Sequence, residues 1–152
     1  MKFNFSFPKR EQADAVTIAR LQLKKHEGLS LKPYKDTVGV LTIGYGRNLN
    51  NGISQKVADM MFEEDVETSV KDAKDFAAEA WDKLNFARQA VLINMAFNLG
   101  RDRLFKFVMF RGALRQHNYE YAAKRMRSSL WYKQVKGRGE ELAMQMETGE
   151  IK

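Results

Sequence analysis

Three polar residues in the segment KKHEGLSLKPYKDTVGVLTIGYGRNLNNG, Lys24 to Gly52, could do chemistry together. Glu27 stands beside Gly28, Asp36 follows nine residues later, and Thr42 six beyond that. Each has an ordinary use on its own: a solvated carboxylate, a turn aspartate of the Asx kind, a strand threonine. Together they are two carboxylates and a short hydroxyl within sixteen residues. Such a pair can divide the duties of general acid and general base.

The surrounding pattern says how they are positioned. From Lys9 to His26, Ala13, Val16, Ala19 and Leu23 recur every three or four residues, which predicts a helix stopped at Gly28. This puts Glu27 in a last helical turn, where the macrodipole suits cations better than carboxylates. From Tyr34 to Gly46, β-branched and aromatic residues alternate with glycines, which predicts a hairpin closed by the Asn51-Gly52 turn. Ser54 is a good N-cap for a long helix reaching about Phe76. Leu84 to Leu99 is apolar nearly all round and predicts a fully buried central helix ended by Gly100. Shorter helices are expected at about Leu104–Phe110, Ala113–Arg125, Ser129–Val135 and Arg138–Glu147. Phe3, Phe5 and Phe7 alternate with polar residues up to Pro8, as a short strand or surface arm would. The sum is an α+β, predominantly helical chain: a single domain over 1–152, with a small β-containing lobe near 28–58 and a helical lobe near 80–152 that takes in the N-terminal helix. A long helix joins them, and a cleft is expected between two lobes of such unlike composition.

Three blocks, HEGLSLKPYKDTVGVLTIGYGRNL, INMAFNLG and WYKQ, resemble the phage lysozymes of the T-even type, endolysins that cleave peptidoglycan. The resemblance runs from about Lys24 to Gly149. It implies the two-lobed lysozyme-like fold, a cofactor-free glycoside hydrolase, and attack on the β-1,4 bond between N-acetylmuramic acid and N-acetylglucosamine, with inversion. It makes Glu27 the general acid, Asp36 the residue that activates water, and Thr42 the residue that helps hold it. Arg138 matches an arginine near the acid, and Asn48, Phe97 and Asn98 match cleft positions. Arg47 stands where the family often carries histidine, with Asp65 at the place of its acidic partner. The chain departs from the pattern in a shorter loop after GYGRNLNNG, in a longer segment before Glu27, and in bulkier residues at Phe110 and Arg125. Arg125 is therefore a candidate for a wall carboxylate.

Composition narrows the partners. The 152 residues carry a net charge of +7, with 44% hydrophobic and 30% charged residues and no cysteine. Disulfides and thiolate metal sites are excluded, and His26 and His117 are too isolated to predict a metal. Asp59 to Asp82 holds nine acids against two lysines, whereas Arg101 to Arg138 holds eleven Lys or Arg against Asp102 and Glu120. A basic stretch suits polyanions, but no nucleic-acid-binding motif accompanies it, so no nucleic acid is expected. Anionic outer-membrane lipid or lipopolysaccharide is a second expected partner of the basic helices, and a cationic membrane-disrupting protein is the rival function from another class. A lytic transglycosylase, which positions no water, is the rival enzyme. No apolar run reaches the ~18–20 residues of a bilayer span, and the N-terminal residues lack an apolar signal core. The expectation is a monomer held in the host cytoplasm until a holin-type membrane lesion admits it to the periplasm and wall.

Overall fold

The computed structural model describes residues 14–151. The Phe3, Phe5 and Phe7 arm and the first residues of the helix expected from Lys9 lie outside the described residues. The chain divides into two compact units, one up to Gln55 and one from Lys56 onward.

The described part of the first unit starts with α1 (Ala15–Glu27). Asp14 caps it by accepting the Thr17 N–H at 2.7 Å, and Gly28, with φ of 68°, closes it by donating to the Lys24 carbonyl. Strands β1 (Ser30–Lys35), β2 (Leu41–Gly44) and β3 (Arg47–Asn48) form an antiparallel sheet in that order. Tyr34 lies opposite Thr42, and Thr42 opposite Asn48. A 3-10 turn follows at Leu49–Asn51, capped by Asn48, whose side chain accepts the Asn50 N–H at 2.8 Å. Among residues 14–55, Thr42 alone is buried.

The second unit is helical. α2 (Gln55–Ala77) runs through a 3-10 segment at Ala78–Lys83 into α3 (Phe86–Leu99). There follow α4 (Arg101–Leu104), α5 (Val108–Arg115), α6 (Tyr119–Arg127), α7 (Leu130–Val135) and α8 (Gly137–Thr148). Phe76, Leu92, Met95, Leu104, Phe110 and Met126 are among the fully buried side chains at its centre. Each such side chain stabilises the fold by ~1.5–3 kcal/mol relative to exposure. Arg127, on the surface, grips Glu140 through two 3.0 Å bonds and Glu147 at 2.8 Å, while Tyr132 donates to Glu140 at 2.7 Å.

Three expectations are corrected. α3 is buried on one face only, through Ala87, Val91, Leu92, Met95 and Ala96, and Phe86 is 88% exposed. Its neighbours pack on that face, so an all-round apolar sequence overstated its burial. Leu104–Phe110 is not one helix, because hydrogen bonds tighten to three-residue spacing at Lys106 and Phe107 before α5 begins. Residues two apart point to different sides of a helix. The break lets Phe105 meet Phe76 edge-on at 5.5 Å while Phe107 meets Trp131 edge-on at 6.4 Å. Ala113–Arg125 is likewise interrupted: His117 takes a φ of 54°, and Asn118 caps α6 by accepting the Tyr121 N–H at 3.0 Å.

A clasp joins the start of α3 to the end of α8. Asn85 donates to the Gly149 carbonyl at 2.8 Å. Arg88 donates to the Met146 carbonyl at 2.8 Å and the Glu147 carbonyl at 3.0 Å, and lies 3.8 Å from the centre of the Tyr119 ring. Gln145 returns a bond to the Ala87 carbonyl at 2.8 Å. The last carbonyls of a helix have no partner within it, and here α3 supplies them.

Candidate active site

The first unit holds Glu27, Asp36 and Thr42, and local backbone geometry fixes all three. Asp36 sits in the turn between β1 and β2. Its Oδ1 accepts the Val38 N–H at 3.0 Å and the Val40 N–H at 2.8 Å, while its own N–H donates to the Val40 carbonyl at 2.9 Å. The Thr42 hydroxyl donates to that same Val40 carbonyl at 3.0 Å. Val40 therefore joins the two side chains: its amide binds the carboxylate and its carbonyl takes the hydroxyl proton. One consequence is chemical. Oδ2 of Asp36 carries no hydrogen bond among the described residues, and the Thr42 oxygen, its proton committed, offers lone pairs. Each of these oxygens could accept a hydrogen bond from a water.

Glu27 is set by a different contact. A Cβ placed on Gly46 would fall 2.6 Å from Glu27 Oε2 and 3.0 Å from its Cδ, so the carboxyl lies directly on the Gly46 backbone. Gly46 has a φ of 73°, a left-handed value that glycine tolerates best. Next to it, Lys24 Nζ stands 5.6 Å from the centre of the Tyr45 ring, a second tie between the last turn of α1 and the β2–β3 turn. An acid catalyst calls for a carboxyl sheltered from water. Glu27 is exposed instead, since it ends a helix with no buried residue.

Other positions named from the sequence fall as follows. Asn48 spends its side-chain oxygen on the cap at Asn50, and Arg47 is exposed on β3 opposite Ile43. In the second unit Asp65 is exposed on α2, where its carbonyl accepts the Ser69 hydroxyl at 2.6 Å. Phe97 packs its ring 5.8 Å from Phe62. These two line a cavity of about 330 Å³ with Val66, Ile93, Asn94 and Arg138. Asn98 accepts the indole N–H of buried Trp131 at 2.8 Å. Arg138 donates through Nε to Asn94 at 3.0 Å and through Nη2 to the same oxygen. Arg125 lines a separate groove beside Trp131, and Phe110 is buried in the core.

Sequence reasoning missed Gly46, Val40 and Asn94. The GYG run signalled a turn at Gly46, but nothing local announces a glutamate from α1 resting on it. Val40 acts through its backbone, which no side-chain pattern reveals. Among the described residues, no group of three or more acidic or histidine side chains could hold a metal ion. No helix there is long and apolar enough to cross a membrane.

The phage lysozyme family profile matches residues 24–146, which takes in all three polar residues of the first unit. The chain is 32% identical to the pre-baseplate central spike protein Gp5 of Enterobacteria phage T4, over 85% of this chain and 27% of that protein. It thus spans about a quarter of the spike protein's length. It is 27% identical to "Probable T4-type lysozyme 1" of Dictyostelium discoideum, over 90% of this chain and 97% of that one. A second protein of that organism, "Probable T4-type lysozyme 2", is 24% identical over 90% of this chain. The mostly helical α+β architecture, the small three-stranded sheet and the matched residues agree, and the chain belongs to the phage lysozyme family of glycoside hydrolases.

Proposed function

We propose that this chain is a muramidase that hydrolyses the β-1,4 bond between N-acetylmuramic acid and N-acetylglucosamine in peptidoglycan, with inversion. The observation that carries the reading is the linkage of Asp36 and Thr42 through Val40, which leaves a carboxylate oxygen and the hydroxyl lone pairs without a protein partner. Glu27 gives its proton to the glycosidic oxygen as the bond to the anomeric carbon breaks. A water held by Asp36 Oδ2 and Thr42 Oγ attacks that carbon from the opposite face, and Asp36 takes the proton it loses. Inversion by this route needs carboxylates roughly 6.5–9.5 Å apart, with the water between. Glu27 is exposed in the free protein, so bound glycan supplies the shelter from water that an acid catalyst uses. Arg138 and Asn94 serve as a polar support for the sugar chain, with Phe97 beside them.

The biological setting follows the same reading: a monomeric endolysin, released to the wall by a holin-type lesion. Similarity to a central spike protein favours a second setting, local wall opening by a phage tail, with identical chemistry. The deciding experiment is Glu27→Gln assayed on purified peptidoglycan and on intact cells. Reducing ends should fall about 10²–10⁴-fold, the range for loss of a general acid. Mass spectrometry should show hydrated ends and NMR an inverted anomer. Only 1,6-anhydromuramyl ends would make the enzyme a transglycosylase. Killing that survives the loss of wall digestion would credit anionic lipid or lipopolysaccharide as the target of the basic helices.

A further inference from the structure

The basic stretch between Arg101 and Arg138 is not uniform in what its cations do. Most of its arginines are occupied by the protein itself. Arg101 pairs with Asp72 and Asp75, Arg115 with Glu79, and Arg127 with Glu140 and Glu147. Arg111 donates to the Phe76 carbonyl, and Arg138 to Asn94. Among the described residues no carboxylate engages Lys124, Lys133 or Lys136 either, but Arg103, Lys106 and Arg125, equally without one, are set apart by their placement. All three line one groove of about 380 Å³ in the helical unit, whose wall includes Phe107, Met109 and Trp131. No acidic residue lines it.

The groove is firmly built. The Trp131 indole is buried, anchored at its nitrogen by Asn98 and met edge-on by Phe107. The Ser128 hydroxyl donates to the Arg125 carbonyl at 3.1 Å, and the Ser129 hydroxyl to the Met126 carbonyl at 2.6 Å, so the α6–α7 turn beneath Arg125 is held. A firm apolar floor with three uncompensated cations suits a short chain that carries aliphatic carbons and several carboxylates. Neutral glycan has no charge for them to read. The stem peptide of peptidoglycan has both features: short aliphatic side chains and free carboxylates that amidation can remove.

We propose that Arg103, Lys106 and Arg125 make the enzyme selective for peptidoglycan whose stem peptides keep their carboxylates free. This deepens the muramidase reading and rests on it for its kinetic consequence. The binding itself needs no turnover. Arg125 presents a planar fork suited to two carboxylate oxygens, and Lys106 a point charge. Exposed ion pairs are weak singly and screened by salt, so selectivity comes from three acting together and fades as ionic strength rises.

The test uses the full chain and two synthetic muramyl tripeptides, one with free carboxylates and one amidated. Equilibrium binding by fluorescence anisotropy at low salt should favour the free acid about tenfold, the range three exposed pairs can supply. Arg103→Gln, Lys106→Gln and Arg125→Gln combined should bring that ratio close to one, as should 0.5 M salt. Equal binding of the two peptides by the unaltered chain overturns the proposal, as does a preference that survives the triple substitution. So does capture of anionic vesicles by the groove without any binding of the acidic peptide. On whole wall, the ratio of kcat/KM for native over amidated peptidoglycan should fall in parallel. Failure to cleave any wall would defeat the muramidase reading and leave the peptide-binding result to stand or fall alone.

Discussion

Replacing Gly46 with alanine puts a methyl group where the Glu27 carboxylate lies. The new carbon would sit 2.6 Å from Oε2, and ordinary contact begins near 3.4 Å, so the carboxyl must retreat by about 0.8 Å. A misplacement near 1 Å in a catalytic group can cost about 10²-fold in rate, or ~2.7 kcal/mol of barrier. The same substitution strains the backbone, since Gly46 has a φ of 73° and left-handed geometry costs an L-residue ~1–2 kcal/mol. For a chain of this size that lowers Tm by about 2–8 °C. Gly44 provides the control: its φ is 67°, and nothing lies within 4 Å of the Cβ it would gain. Gly44→Ala should therefore lose similar stability and little activity, while Gly46→Ala loses both. The assay is clearing of purified wall below the lower Tm, with thermal denaturation measured on the same samples. Equal activity losses in the two variants would refute the idea that Gly46 matters through Glu27.

Asp36→Asn keeps an oxygen for the Val38 and Val40 amides and removes the charge, so wall hydrolysis should fall about 10²–10⁴-fold with Tm almost unchanged. Asp36→Ala should lose stability as well. The Arg127 guanidinium, and after it the Tyr132 hydroxyl, holds the Glu140 carboxyl below its ordinary range. The stabilisation is present above the unfolded carboxylate pKa, near 4.5, and is lost as pH falls through the lower folded value. The side chain is 42% exposed, so screening limits the effect to about 1 kcal/mol or less. Urea denaturation from pH 6 to pH 3 should show a shallower acid slope in Glu140→Gln. Lys136 bridges α7 and α8 with a φ of 52° and a ψ of −126°, a region suited to glycine. Lys136→Gly should raise stability by roughly 1 kcal/mol, visible as a higher urea midpoint.

What the sequence disclosed follows from the range of the forces involved. Helical periodicity and caps act over a few residues, so α2, α7 and α8 could be read within a residue or two of their ends. Glu27, Asp36 and Thr42 could be proposed as a set because side-chain types and spacing are visible without coordinates. What holds them could not, because Asp36 and Thr42 are joined through the Val40 backbone and Glu27 rests on Gly46. The break after Leu104 escaped for a related reason. It serves contacts to Phe76 on one side and Trp131 on the other, each far away in sequence. The groove cations looked like an undivided basic stretch until their neighbours' acidic partners were known.

The clasp between α3 and α8 also bears on how the chain acquires its structure. Its bonds join residues 58 to 64 positions apart, so none can form until the chain has been made almost to Gly149. Contacts this distant in sequence slow folding, because the intervening loop must be ordered before they reward it. During synthesis, α3 would emerge with its apolar face uncovered and wait for α8 to close over it. The helical unit should then mature late and all at once. A stalled chain ending near residue 140 would be open to proteases that the completed one resists.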